Sequence, residues 1–204
     1  MRQLSGDGSG IQFNAPPFYA DWAQTSLAQA IVSAEWSPPA GTLTQELSER
    51  VAAPKRHATS AVLFAALAVE GFLNFVGLRS FGGVAYEQFE RCSTTKKTAW
   101  LIELTTQRQL AAGNAVLQHT GALAKLRSEL GHPKSAVITP PGTREAIEIA
   151  QAAVAHMHAF FVEFAALAPQ MRSEVWRWSG TIADDEAVPT PQQLPSGLNP
   201  HSST

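Results

Sequence analysis

The sequence is poor in cysteine and in charge. Its one cysteine, Cys92, excludes an internal disulfide and any zinc site built from several cysteines. Charged residues make up only 16% of the 204 residues and the formal net charge is −2, so no global excess of basic residues indicates a nucleic-acid or membrane partner. A polyanion would therefore have to bind a local patch of the surface.

A signal peptide and a plain membrane span are also missing. Residues 1–17 lack the continuous apolar run of a signal peptide. The most apolar stretch, residues 61–78, approaches the length of a membrane span, but Glu70 and Asn74 lie within it and would be costly in lipid. We therefore expect a buried helix, no membrane association and a cytoplasmic location, which a single cysteine also fits.

Strand-like alternation and internal repeats are absent as well, and helical periodicity is strong. Apolar residues recur at helical spacing in several segments, which are residues 18–36, 42–53, 55–78, 114–130 and 143–167. The segment after Pro54 is apolar nearly all round, as in a helix at the centre of a bundle. These patterns predict an all-α protein, a bundle of about five helices.

Proline-rich and glycine-rich segments suggest the boundaries of the domains. We expect a flexible N-terminus at residues 1–17, an N-terminal helical extension at 18–53, a helical bundle at 54–179 and a disordered tail at 180–204. The tail is rich in proline and polar residues and contains no Lys or Arg.

The stretch KLRSELGHPK, residues 125–134, contains the main candidate site. Arg127 and His132 are five residues apart, which places them about 140° apart on a regular helix. Gly131 favours a left-handed helix end, and Pro133 pushes the preceding residue out of the helical region. The chain reversal predicted at Gly131 would swing the imidazole of His132 back towards the guanidinium of Arg127.

Such a pair suits the cleavage of RNA without a metal ion. A histidine can act as base or acid near neutral pH, and an arginine presents a planar fork of donors to phosphate oxygens. One chain offers one Arg–His pair, so a two-fold dimer would supply both the base and the acid around one cleft. The alternative is structural: Arg127 stabilises a helix C-terminus, and His132 bonds a loop carbonyl.

Three stretches in order resemble the HEPN family (higher eukaryotes and prokaryotes nucleotide-binding). RSELGH at 127–132 fits the family's R-x4-H motif, AVEGFLNF at 68–75 resembles its early core helix, and KKTAWLIEL at 96–104 resembles the Lys-containing helix before the motif. The resemblance covers roughly residues 58–165.

This resemblance implies an up-and-down helical bundle that forms a homodimer. It implies catalytic roles for Arg127 and His132 in a metal-independent endoribonuclease that needs no cofactor, often in toxin–antitoxin or antiviral systems, with a possible antitoxin protein as partner. Active members often carry Asn or Asp after the arginine, where this chain has Ser128. Many members are non-catalytic, so the alternative function is a module that binds a nucleotide, RNA or a protein.

Other residues are assigned supporting roles. Glu70 and Asn74 share one helix face and either orient Arg127 near the cleft or form a buried polar pair that fixes helix register. Lys134, beside His132, is the better candidate for contacting the substrate backbone. Lys96 and Lys97 could grip phosphate, but lysines near a helix start are usually solvated, and we expect the same here.

Two further motifs are interpreted as structural. His156 and His158 are two residues apart in a helix and point away from each other, so we predict no metal site there. Trp176 and Trp178 either stack on bases or, as the sequence favours, anchor the end of the chain on the bundle or line a dimer interface.

Overall fold

A computed structural model describes residues 18–37, 44–81, 83–131 and 142–179, excepting the side chains of residues 130 and 131. These residues contain seven α-helices, one 3-10 turn at Pro169–Met171 and no strand. The helices are α1 Phe18–Ala34, α2 Gln45–Ser80, α3 Gly83–Glu90, α4 Thr94–Thr106, α5 Ala115–Gly131, α6 Thr143–Leu167 and α7 Arg172–Ser179. The all-α prediction is confirmed, while the helices are more numerous than the five expected because α3 and α7 are short separate elements.

The core is built on an aromatic cluster between α2 and α6. Phe72 lies edge-on to Phe160, Phe161 and Phe164, with ring centroids 6.1, 5.5 and 5.1 Å away, and all four rings are fully buried. On the other side, α1 faces α2 with buried alanines, which let two helix backbones approach closely. Buried residues from all seven helices join one core cluster.

The predicted helix break at Pro54 is wrong, because α2 runs continuously from Gln45 to Ser80. Proline lacks the N–H that would bond the carbonyl of Arg50, but Arg50 is exposed and water can satisfy it. Arg56 also donates from Nη2 to the carbonyl of Glu49 at 3.0 Å, next to the Arg50 carbonyl that lacks its helical hydrogen bond. The expected boundary between residues 53 and 54 therefore lies inside one helix, and α1 shares the core of the later helices.

Polar side chains define several helix starts. Thr44 caps α2 by accepting from the N–H of Leu47, and Ser93 caps α4 by accepting from the N–H of Lys96. Asn114 plays the same part at α5, where its Oδ1 accepts from the N–H of Val116. At α6 the cap position is Gly142, which has no side chain to accept a hydrogen bond, and Thr143 is the first helical residue.

The last helix is held by one tryptophan. Trp178 is 2% exposed and packs on Phe72 and Phe75, with ring centroids 6.3 and 5.6 Å away. A Cβ on Gly71 would meet the same indole ring at 3.0 Å, so glycine at this position makes room for it. Trp178 thus anchors α7 on the bundle and is not available for stacking on bases. The predictions for residues 1–17 and 180–204 lie outside the described residues.

Two helices, α2 and α6, have the length and composition of membrane spans. Core helices of soluble proteins have the same properties, and 56% of the apolar window in α2 and 44% of that in α6 are buried inside the protein. Length and composition therefore do not distinguish the two settings, and the cytoplasmic location stays a prediction.

The close approach of α2 to Phe89 gives a test of the packing. A Cβ on Gly77 would lie under 3.0 Å from three ring atoms of the fully buried Phe89. We expect Gly77→Ala to lower the free energy of unfolding by about 1–3 kcal/mol, because the ring has no open space to move into. Denaturant unfolding measures this change.

Gly121 provides the matched control. It lies inside α5, and a Cβ there would meet nothing within 4 Å. Gly121→Ala should stabilise the protein by up to about 1 kcal/mol through helix propensity. Equal effects of the two substitutions would contradict the packing of α2 against α3.

Candidate polar active site

Four polar side chains from three helices meet at one place, which we call the polar junction. It consists of Glu70 and Asn74 from α2, Lys97 from α4 and Arg127 from α5. Arg127 is ion-paired with Glu70 through Nη1 and Oε2, and Lys97 donates from Nζ to Oδ1 of Asn74 at 2.8 Å. The junction therefore ties α2 to both α4 and α5.

The position of Arg127 follows from the periodicity of α5. Val116, Thr120 and Leu123 are buried, and Arg127 continues the same stripe at a spacing of four residues after Leu123. The stripe directs Arg127 towards the bundle rather than away from it. Its long stem spans the remaining distance to Glu70, which lies at the edge of the buried face of α2.

The Glu70–Arg127 ion pair is partly buried and partly exposed to solvent. The side chain of Glu70 is 27% exposed and that of Arg127 is 46% exposed. A guanidinium has five N–H donors in a fixed plane, and the recorded bond to Glu70 uses one of its terminal nitrogens. Glu70 thus holds the guanidinium in orientation, while other donors of Arg127 remain accessible to an anion from solvent.

The sequence interpretation of Lys97 is wrong. Lys97 was expected to be solvated, yet it is 3% exposed, because it lies four residues before the buried Leu101 and shares its helix face. Its ammonium is bonded to Asn74 and lies 5.8 Å from the centroid of the Phe89 ring. Lys97 therefore fastens α4 to α2 and does not grip a substrate. Lys96, its neighbour, is exposed.

Burial sets the electrostatics of the junction. Burial lowers the pKa of Lys97 below its ordinary 10.5, and the charges of Glu70, Glu90 and Cys92 oppose this shift while that of Arg127 adds to it. These influences show that the Lys97–Asn74 pair and the Arg127–Glu70 pair share one electrostatic environment.

A second polar contact lies next to the junction, between α4 and α5. The hydroxyl oxygens of Thr98 and Thr120 are 3.4 Å apart, and both residues are fully buried. Each hydroxyl also donates to a carbonyl one turn earlier on its own helix, at 2.9 Å for Thr98 and 2.6 Å for Thr120. The two threonines thus satisfy their polar groups locally and permit close contact of the helices.

The remaining predicted residues fall at or beyond the end of α5. Ser128 is exposed and follows Arg127 directly. Helix α5 continues through Gly131, one residue further than the sequence indicated. His132 and Lys134 lie outside the described residues, whereas Gly131, where the reversal was predicted, is part of α5.

The described residues show no metal site at the junction. Within 18–37, 44–81, 83–131 and 142–179, no group of three or more His, Cys, Asp or Glu side chains is arranged to hold a metal ion. A concavity of about 450 Å³ lies between α1 and α6 and is lined by none of the junction residues. The exposed parts of the Glu70 and Arg127 side chains place the junction at the protein surface.

Comparisons with protein-family models, with curated proteins and with solved structures find no match.

A double-mutant cycle tests the coupling of Glu70 to Arg127. We expect a coupling free energy of about 1 kcal/mol between Glu70→Gln and Arg127→Gln, at the upper end for exposed pairs because Glu70 is largely sheltered. The control is Arg144 with Glu148, a pair on α6 whose side chains are 93% and 58% exposed. It should give only about 0.3–0.5 kcal/mol. A coupling free energy for Glu70–Arg127 no larger than that for Arg144–Glu148 would contradict the partly buried geometry of the junction pair.

The buried charge of Lys97 gives a pH-dependent test. Because its pKa is lowered on folding, the charge costs stability at neutral pH, and this cost disappears as pH rises to the ordinary value of 10.5. We therefore expect Lys97→Met, compared with the native chain, to unfold at an equal or higher temperature at pH 7. The difference should shrink towards pH 10.

Lys96→Met is the control, since Lys96 is exposed and next in sequence. It should shift the unfolding temperature little at either pH. A Lys97→Met variant much less stable than the native chain at pH 7 would show that the hydrogen bond to Asn74 outweighs the burial cost.

Proposed function

We propose that this protein is a HEPN-type, metal-independent endoribonuclease that acts as a homodimer through Arg127 and His132. One observation supports the proposal most directly. The stretches that carry the resemblance lie on α2, α4 and α5, and their polar side chains meet at the polar junction. An up-and-down arrangement of the main helices belongs to the same proposal.

The proposed chemistry is internal attack within the RNA chain. The 2′-hydroxyl oxygen bonds to the adjacent phosphorus, and its proton passes to the imidazole of one His132. The bond from phosphorus to the 5′-oxygen breaks, and the His132 of the second copy protonates that oxygen. The products are a 2′,3′-cyclic phosphate and a 5′-hydroxyl, with no oxidant or cofactor consumed.

Arg127 would stabilise the charge that builds on the phosphoryl oxygens during this step. Its pairing with Glu70 fixes the guanidinium before substrate arrives, which lowers the cost of organising the transition state. In this scheme Glu70 is a positioning residue, and Asn74 with Lys97 keeps α4 and α2 in register beneath it. Ser128 and Lys134 are proposed to contact the substrate backbone next to the reacting phosphate.

A second function is a non-catalytic module that binds RNA, a nucleotide or a protein. The observation that favours it is the neutralisation of Arg127 by Glu70, since a guanidinium already paired with a carboxylate attracts phosphate less strongly. In this case an antitoxin-like protein or a nucleotide would occupy the same face without turnover.

Cleavage of RNA in the presence of chelator tests the first function. The native protein should produce fragments with 2′,3′-cyclic phosphate ends, and His132→Ala should slow the reaction by about 10²-fold or more. Arg127→Ala should slow it to a similar degree, while Arg144→Ala, which removes an exposed arginine on α6, should leave the rate unchanged.

The outcomes separate the two functions. Equal cleavage by the native protein and by His132→Ala would reveal a contaminating nuclease and reject the proposed active site. Binding of RNA by the native protein without any cleavage would favour the binding module. A strictly monomeric mass in solution would contradict the composite dimeric site.

A further inference from the structure

A pair of histidines joins α5 to α6 at a distance from the polar junction. The Nδ1 atoms of His119 and His156 are 3.0 Å apart, and their ring centroids are 5.3 Å apart. Both side chains are half-buried. At this separation one ring donates its Nδ1 proton and the other accepts it, so at least one of the two rings must be neutral.

Among the described residues, no carboxylate acts on His156 to offset a second proton at this contact. Burial lowers the pKa of His156, and the charge of His119 lowers it further; no carboxylate of the described residues contributes. The charged groups on the neighbouring helices, Glu70 on α2 and Lys97 on α4, interact with one another and with Arg127 instead. Both histidine rings are partly exposed and can therefore take up protons from solvent.

We propose that the His119–His156 pair is a pH-sensitive clamp, which holds α5 against α6 at neutral pH and loosens this contact in mild acid. With both rings protonated, the shared hydrogen bond is lost and two cations face each other across the interface. Its stabilising effect is fully present above the ordinary histidine value of about 6.5 and is lost as pH falls below it.

The clamp can influence the far end of α5. Arg127 lies eight residues after His119 on the same helix, which corresponds to about 12 Å along its axis. A looser contact between α5 and α6 would weaken the alignment of Arg127 with Glu70. The clamp itself does not depend on the proposed ribonuclease function.

Hydrogen exchange of α5 peptides at pH 7.5 and pH 5.5, corrected for intrinsic rates, tests the clamp. In the native protein the protection of α5 should fall about fivefold at the lower pH, the factor that corresponds to the repulsion of two unit charges about 4 Å apart in water. His156→Gln and His119→Gln cannot form the doubly charged pair and should show little change in protection between the two pH values.

His158→Gln is the matched control, because this histidine lies two residues after His156 on α6, which turns it to the other side of the helix. It should keep the native response to pH. If His156→Gln lost protection in acid as the native protein does, the clamp would be rejected.

A measurement on the native protein tests the clamp even if a variant fails to fold. Nitrogen–proton correlation spectra at pH 7.5 should show one of the two rings in the Nδ1–H tautomer, which is the minor form in water. Two rings that both carry the proton on Nε2 and titrate like free histidine would overturn the proposal.

Discussion

The burial of the Lys97 ammonium is the constraint on which the candidate site depends. A cation that is 3% exposed requires a partner, and Asn74 is the one it is bonded to, so α4 must lie against α2 in a single register. Thr98, the next residue, then lies against Thr120, and these two small side chains let α5 pack closely beside α4. With α5 in this position, the stripe that contains Leu123 delivers Arg127 to Glu70.

This arrangement gives Arg127 two opposing properties. The pairing with Glu70 holds the guanidinium in one orientation, which favours stabilisation of a transition state, but it also neutralises the charge that would draw RNA to the site. Which property dominates depends on how much of Arg127 a ligand can reach, and 46% of its side chain is exposed. An open surface suits a substrate as large as RNA, and a second copy of the chain could close it from the other side.

The sequence predicted what depends on local pattern. Helical periodicity identified the long helices. The sequence failed where the environment of a residue depends on contacts with residues far away in the chain. Nothing near Lys97 in sequence reveals its acceptor, Asn74 on α2. The spacing of four residues between Lys97 and Leu101 is the signal for its burial that the prediction missed. Pro54 continues a helix that packing stabilises, and the partner of His156 is 37 residues away, so the H-x-H spacing could not identify it.

The central proposal is that RNA binds at Arg127 and His132. The most direct measurement is nuclear magnetic resonance of the protein titrated with an RNA oligonucleotide whose 2′-hydroxyls are methylated, which can bind but cannot be cleaved by internal attack. The account predicts that the Arg127 guanidinium and His132 imidazole signals shift together and saturate at one ligand concentration, while the exposed Arg144 on α6 does not respond. Shifts confined to other surfaces, with Arg127 and His132 unchanged, would contradict it.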